Sequence, residues 1–250
     1  MALSNTLSTP TTLKGHTIMF RHSPRIIGLL CVLNAMQWGA PPALAEVRSF
    51  DDITFWVGSG PQRAAFVVDW SATPDLPPLA WGYRWSGAAT GDQMFRAIAA
   101  ADANFRGRIS AGGPLGVELY GIGYDRDGDG FQLNDGTQFT DGLAISGPSD
   151  TAFALDPDDS YNEGWFSAGF WGYYFATGSP YLPGGMWDFA PVGFSSRILA
   201  DGEWDGYAYA PQFVFATPAV PVAAVPEPGL CQVLVGVGLV WGFVRTLRSR

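Results

Sequence analysis

Three of the most reactive side chains are nearly missing from this chain. Its 250 residues contain two cysteines, two histidines and one lysine, all before residue 46 or after residue 228. The stretch 46–226 therefore has no Cys, His or Lys. That excludes a Ser-His-Asp or Cys-His centre, a His- or Cys-ligated zinc or copper site, a Schiff-base lysine and a phosphate-loop lysine. It also excludes disulfides, so an oxidising compartment leaves the stretch unchanged. Positive charge is scarce as well: eight arginines face 22 acidic residues between 46 and 226, a net charge near −14. Such a surface repels nucleic-acid phosphates and anionic lipid, and favours cations or neutral ligands. Whatever chemistry the stretch performs falls to carboxylates, Arg, Tyr, Ser and backbone.

Long apolar runs are few, and they lie near the two ends. Lys14, Arg21 and Arg25 precede the apolar stretch Ile26–Met36, and Ala43-Leu44-Ala45 follows. A basic segment, an apolar segment of that length and a small-x-small site are the layout of a secretory signal peptide, with removal by signal peptidase expected after Ala45. Residues 1–18 are polar and Thr-rich, which makes Met19 an alternative start. The second run, Gly229–Val244, has Gln232 as its only strongly polar side chain. Its length covers roughly 24 Å of a hydrocarbon core of about 30 Å, short but usable for one transmembrane helix. Pro226 and Pro228 break the chain before it. Arg245, Arg248 and Arg250 after it snorkel to the headgroups and hold that end in the cytoplasm.

Val225-Pro226-Glu227-Pro228, an apolar helix and a short arginine-bearing end together resemble a PEP-CTERM sorting signal, the C-terminal tag of exported proteins of Gram-negative bacteria. The resemblance covers residues 225–250. It implies recognition at Pro226-Glu227-Pro228 by an exosortase-type sorting enzyme and removal of the tail. It also implies a transient stay at the inner membrane, followed by release to the cell surface or medium. The arginines are spread by Thr246, Leu247 and Ser249, and the helix carries Cys231, both departures from the family pattern.

The segmentation expected is a signal peptide over 1–45, an exported domain over 46–215, a Pro/Ala/Val linker over 216–228 and the membrane helix with its basic end over 229–250. Within the domain, Ile53–Val57 and Ala64–Trp70 read as strands of a hairpin around Gly58-Ser59-Gly60-Pro61. Trp81, Tyr83 and Trp85 alternate, so they share one sheet face, either buried or open to a ligand. Thr90-x-x-Gln93 matches a capping box, and Met94, Phe95, Ile98 and Ala101 recur at helical spacing, predicting the one main helix over about 90–102. Residues 115–124 return to strand. Residues 136–162 read as a polar surface loop, and aromatic strands resume from Trp165 to Phe175 and from Tyr207 to Phe215. The fold class expected is α+β: mostly short strands in a mixed sheet with one helix.

The sharpest local motif is Asp125-Arg126-Asp127-Gly128-Asp129-Gly130. Carboxylates at positions one, three and five with glycine at six match the first half of an EF-hand-like calcium loop. The second half departs from it, because position twelve is Gly136 and the nearest acid, Asp135, is one residue early. The alternative is a polar β-turn. As a calcium site it would use Asp125, Asp127 and Asp129, with the Phe131 carbonyl and Asp135 completing the shell.

The middle of the chain also resembles the β-grasp-like C-terminal domain of transcobalamin. The resemblance rests on a helix opening with Thr-Gly-Asp, a strand ending in Gly-Ile-Gly, Trp-Gly-Tyr-Tyr-Phe and Leu-Ala-Asp-Gly-Glu-x-Asp-x-Tyr-x-Tyr across residues 81–209. It implies a small sheet wrapped on one helix, and no ligand residue is carried across. Three functional classes follow. The favoured expectation is a non-catalytic surface or extracellular-matrix component. The second is a module binding extracellular polysaccharide or a small planar ligand through Trp81, Trp85, Trp171 and Tyr173. The third is a hydrolase using Asp127 with Glu163, or Glu118 with Asp188, which requires carboxyls roughly 5 to 9.5 Å apart.

Overall fold

The computed structural model describes residues 45–71, 76–164, 167 and 169–225. The expected signal helix and the C-terminal membrane helix lie outside these residues. Among the described residues no helix is long and apolar enough to cross a membrane.

Alternation along the strand Gln62–Asp69 (β2) organises the interior. Phe66 and Val68 point to one face and Ala65 and Val67 to the other, and all four are buried, as expected of a strand covered on both sides. Around it, Trp56–Gly58 (β1), Leu79–Trp85 (β3), Gly169–Ala176 (β8), Asp188–Phe189 (β9) and Trp204–Pro211 (β10) form a mixed sheet in the order β1-β3-β2-β10-β8-β9. A further strand, Val222–Ala223 (β11), joins it by pairing with β3. A second, four-stranded sheet holds Phe105–Ile109 (β4), Leu119–Tyr124 (β5), Leu143–Ile145 (β6) and Ser160–Glu163 (β7) in the order β6-β4-β5-β7. The one α-helix among the described residues is Gly91–Ala101 (α1). The α+β expectation therefore holds, with two sheets where one was expected.

The helix forms where its local signals place it. Thr90 Oγ1 accepts from the Gln93 backbone N–H at 3.3 Å, and Gln93 Oε1 accepts from the Thr90 N–H at 2.9 Å, which closes the capping box. Met94, Phe95 and Ile98 are fully buried. Phe95 meets Phe66 and Phe105 edge-on, with centroids 5.9 and 5.3 Å apart, so helix, large sheet and small sheet share one aromatic core. Trp70 joins the two sheets directly. Its indole N–H donates to the Ile122 carbonyl, and its own carbonyl accepts from the Asn162 side chain. A smaller core on the other face of the large sheet gathers Val47, Ile53, Ala65, Val67 and Trp204.

Three local expectations are corrected. The first and second strands do not form a hairpin: β3 lies between them, parallel to β1 and antiparallel to β2. The connection crosses the end of β3 at close range. A Cβ on Gly58 would sit 2.3 Å from the Arg84 carbonyl oxygen and one on Gly60 2.0 Å from that of Trp85, and both residues have positive φ. These glycines serve a crossing as readily as a tight turn, which is why the motif misleads. Residues 136–162 are not simply a surface loop, because they contain β6 and the start of β7.

The stretch 216–225 is not a free linker. Val222 donates its N–H to the Pro78 carbonyl, Ala224 to that of Ala80, and Ala219 to Asp69 Oδ2. Val222 and Ala224 are buried, β11 covering one half of the β3 edge while β1 covers the other. A chain ending after Thr217 is therefore expected to melt roughly 5–10 °C below one ending after Val225, from the lost apolar burial. Equal melting temperatures would show that β11 contributes nothing.

Candidate functional site

The aspartate motif sits where two strands end together. β5 and β7 are antiparallel, with Tyr124 opposite Ser160. One step beyond that pair brings Asp125 opposite Asp159. One carboxylate oxygen from each of Asp125, Asp127 and Asp159 lies within 4.8 Å of the others. Asp125 is 3% exposed and Asp159 8%, while Asp127 is open to solvent. The Asp125 carboxylate accepts from the backbone N–H groups of Gly128 at 2.8 Å and Gly130 at 3.1 Å, which curls the loop around it. Asp159 has no such partner: both its oxygens are sealed from water and accept no hydrogen bond. Burial, then the charge of Asp125, pushes its carboxyl up to about 6. The Arg126 backbone N–H pulls the other way.

Of the expected ligands, Asp125 and Asp127 lie in this cluster, and Asp159 joins them. Asp129 stays exposed outside the cluster, and the charge of Asp127 raises its carboxyl. Asp135 is drawn away by Arg108, 2.8 Å distant, and accepts from Thr137. The Phe131 ring packs against Phe139 and Tyr161, with centroids 5.6 and 6.1 Å away. Asp159 is the group that sequence reading missed. Beside Asp156, Pro157 and Asp158 it looks like any acidic loop residue, and only the strand register sets it against Asp125.

The proposed stacking residues are interior. Trp81, Trp85, Trp171 and Tyr173 are 0–7% exposed, all in the main core. Trp81 donates its indole N–H to Asp102 at 2.8 Å, Trp171 donates to the Asn162 carbonyl at 3.0 Å, and Tyr173 stacks on Tyr207 at 4.7 Å. Alternation had placed Trp81, Tyr83 and Trp85 on one face, and that face points inward. Trp171 and Tyr173 nonetheless form part of the wall of an apolar cleft of about 340 Å³ that opens among Leu115, Phe170, Phe189 and Val192, with Glu118 as the carboxylate in its lining.

Two further buried acids, Glu163 and Asp205, are paired with arginines. Glu163 accepts from Arg108 at 3.2 Å, from the Tyr161 hydroxyl and from the Ser149 N–H. Arg108 also reaches Asp135 and Ser146, pinning the 126–158 excursion to β4. Asp205, fully buried, accepts from Arg197 at 2.9 Å and from the Tyr173 hydroxyl. Glu118 accepts from the Tyr120 hydroxyl at 2.8 Å, and Asp188 stands on the exposed edge strand β9.

The first residues of the expected exported domain pair with the stretch before the proline motif. Val47 donates its N–H to the Pro221 carbonyl at 2.7 Å, and Glu46 pairs with Val222. Ala45 and Val225 are exposed just outside this pairing. Ala43, Pro226, Glu227, Pro228, Arg245, Arg248 and Arg250 lie outside the described residues.

Fold and site together define an acidic α+β domain with two arginine-paired buried carboxylates and one carboxylate cluster in which the Asp159 oxygens accept no hydrogen bond. No protein-family model, curated protein or solved structure matches the chain. Both resemblances drawn from the sequence therefore rest on the residues quoted for them.

Proposed function

We propose that this chain is an exported, non-catalytic surface or extracellular-matrix protein of a Gram-negative bacterium, delivered by its PEP-CTERM tail. Signal peptidase removes the segment before Glu46, an exosortase-type enzyme acts at Pro226-Glu227-Pro228, and the inner membrane holds the intermediate. The observation that carries this reading is the tail itself: a proline-flanked acid, an apolar run and terminal arginines in that order. Two structural facts support it. Ala224, two residues before Pro226, is buried, and Glu46, the first residue after the expected signal-peptide cleavage, pairs with Val222. The non-catalytic part is supported by the absence of Cys, His and Lys from residues 46–226 and by the full engagement of Glu163. Burial of Trp81 and Trp85 favours this reading over a polysaccharide-binding one.

The test is fractionation of cells producing the full chain or a chain ending after Val225. The full chain is expected at the surface or in the medium, and the shortened one is expected to remain in the periplasm. Identical distribution of the two would overturn the sorting role.

A further inference from the structure

We propose that Asp125, Asp127 and Asp159 hold a calcium ion that clasps the ends of β5 and β7 and closes the neck of the 126–158 excursion. The inference is independent of the sorting tail and concerns the folded domain alone. Its first support is register. With Tyr124 opposite Ser160, Asp125 and Asp159 are the next cross-strand pair, and like charges facing each other across a ladder are destabilising.

The second support is the state of Asp159. A carboxylate 92% buried, with both oxygens sealed and unpaired, is costly unless something positive or protic meets it. The other buried acids have such partners: Glu163 has Arg108, and Asp205 has Arg197. Asp159 instead faces two more carboxylates. A cation among the three oxygens relieves both the repulsion and the desolvation.

The donor set selects the ion. Three carboxylate oxygens and no nitrogen or sulfur suit a hard divalent cation. Oxygens bound to one calcium at 2.3–2.6 Å lie at most about 5 Å apart, and the observed oxygens fall within 4.8 Å. Asp127 is exposed, so the site opens to solvent on one side, where water completes the shell. A set of three carboxylates fits calcium better than magnesium, which demands a near-ideal octahedron and usually keeps several waters beside one or two carboxylates.

The test uses the full chain, stripped with a chelator and titrated with calcium chloride or magnesium chloride while its melting temperature is followed. At a hundredfold excess over Kd, calcium is expected to raise the midpoint by roughly 5–10 °C, with magnesium giving much less. Asp159→Asn is expected to abolish the calcium shift. Without calcium this variant should melt at or above the parent, because the buried charge is gone, and that separates lost binding from failed folding. Asp129→Asn is expected to keep the shift. Absence of a calcium shift in the parent, an undiminished shift in Asp159→Asn, an equal response to magnesium, or loss of the shift in Asp129→Asn would each overturn the assignment.

Discussion

Trp81→Ala is expected to cost about 3–5 kcal/mol of folding stability, the range for deleting a large buried aromatic ring. For a domain of this size that lowers the melting midpoint by roughly 6–20 °C. Trp81 has no exposed surface and sits between the two sheets, its ring 5.4 Å from Phe105 and 6.1 Å from Phe66. Truncation leaves a cavity in the shared aromatic core and takes the indole donor from Asp102, itself 2% exposed. A residue serving as an open stacking surface would behave differently, because exposed substitutions usually fall within about 0.5 kcal/mol of neutral. Urea unfolding separates the two, and a change that small would return Trp81 to the surface.

Arg197→Met is expected to be comparably damaging, at about 3–5 kcal/mol, because it leaves the buried Asp205 carboxyl without its cationic partner. The arginine lies over the Phe175 ring at 4.5 Å and bridges Asp205 and Glu203. A second substitution, Asp205→Asn, is expected to recover part of the loss.

Asp205 also sets a pH signature. Burial pushes its carboxyl up to about 6, although Arg197 and the Tyr173 hydroxyl pull the other way and Glu203 adds a smaller push upward. Between about pH 4 and 6 the folded chain thus keeps a proton that the unfolded chain has released. The contribution of this group is present below that window and is lost as pH rises through it. The stability difference between the parent and Asp205→Asn, measured by urea unfolding at intervals from pH 4 to 7, should therefore shift against the parent up to about pH 6 and then level off. A difference that does not change with pH would refute the raised value.

Much of this was legible where interactions are local. The capping box joins residues three apart, so Thr90 and Gln93 announce the helix without reference to anything else. Alternation along Trp81-Gly82-Tyr83-Arg84-Trp85 likewise fixes a shared face. It carries no information on what covers that face, and the choice between core and binding surface turned on the helix and second sheet packed over it. The Gly58–Pro61 segment shows the same limit from another side, since glycines that permit a reversal also permit a close crossing over β3. The Ala/Val/Pro composition of 216–225 fits a linker or a short edge strand equally well, and the free edge of β3 decided between them.

The sequence by itself determined the inventory: a domain without Cys, His or Lys, strongly acidic, aromatic-rich, with one capped helix and apolar runs on either side of it. These follow from residue identity and short-range spacing, which need no fold to be read. Only the tertiary structure decided which acids meet. Asp135 looked like a partner of Asp125 but is claimed by Arg108, whereas Asp159, 34 positions after Asp125, is brought to it by one step of an antiparallel ladder. Long-range pairing sets a residue's neighbours through register and packing, and no property of Asp159 alone records that.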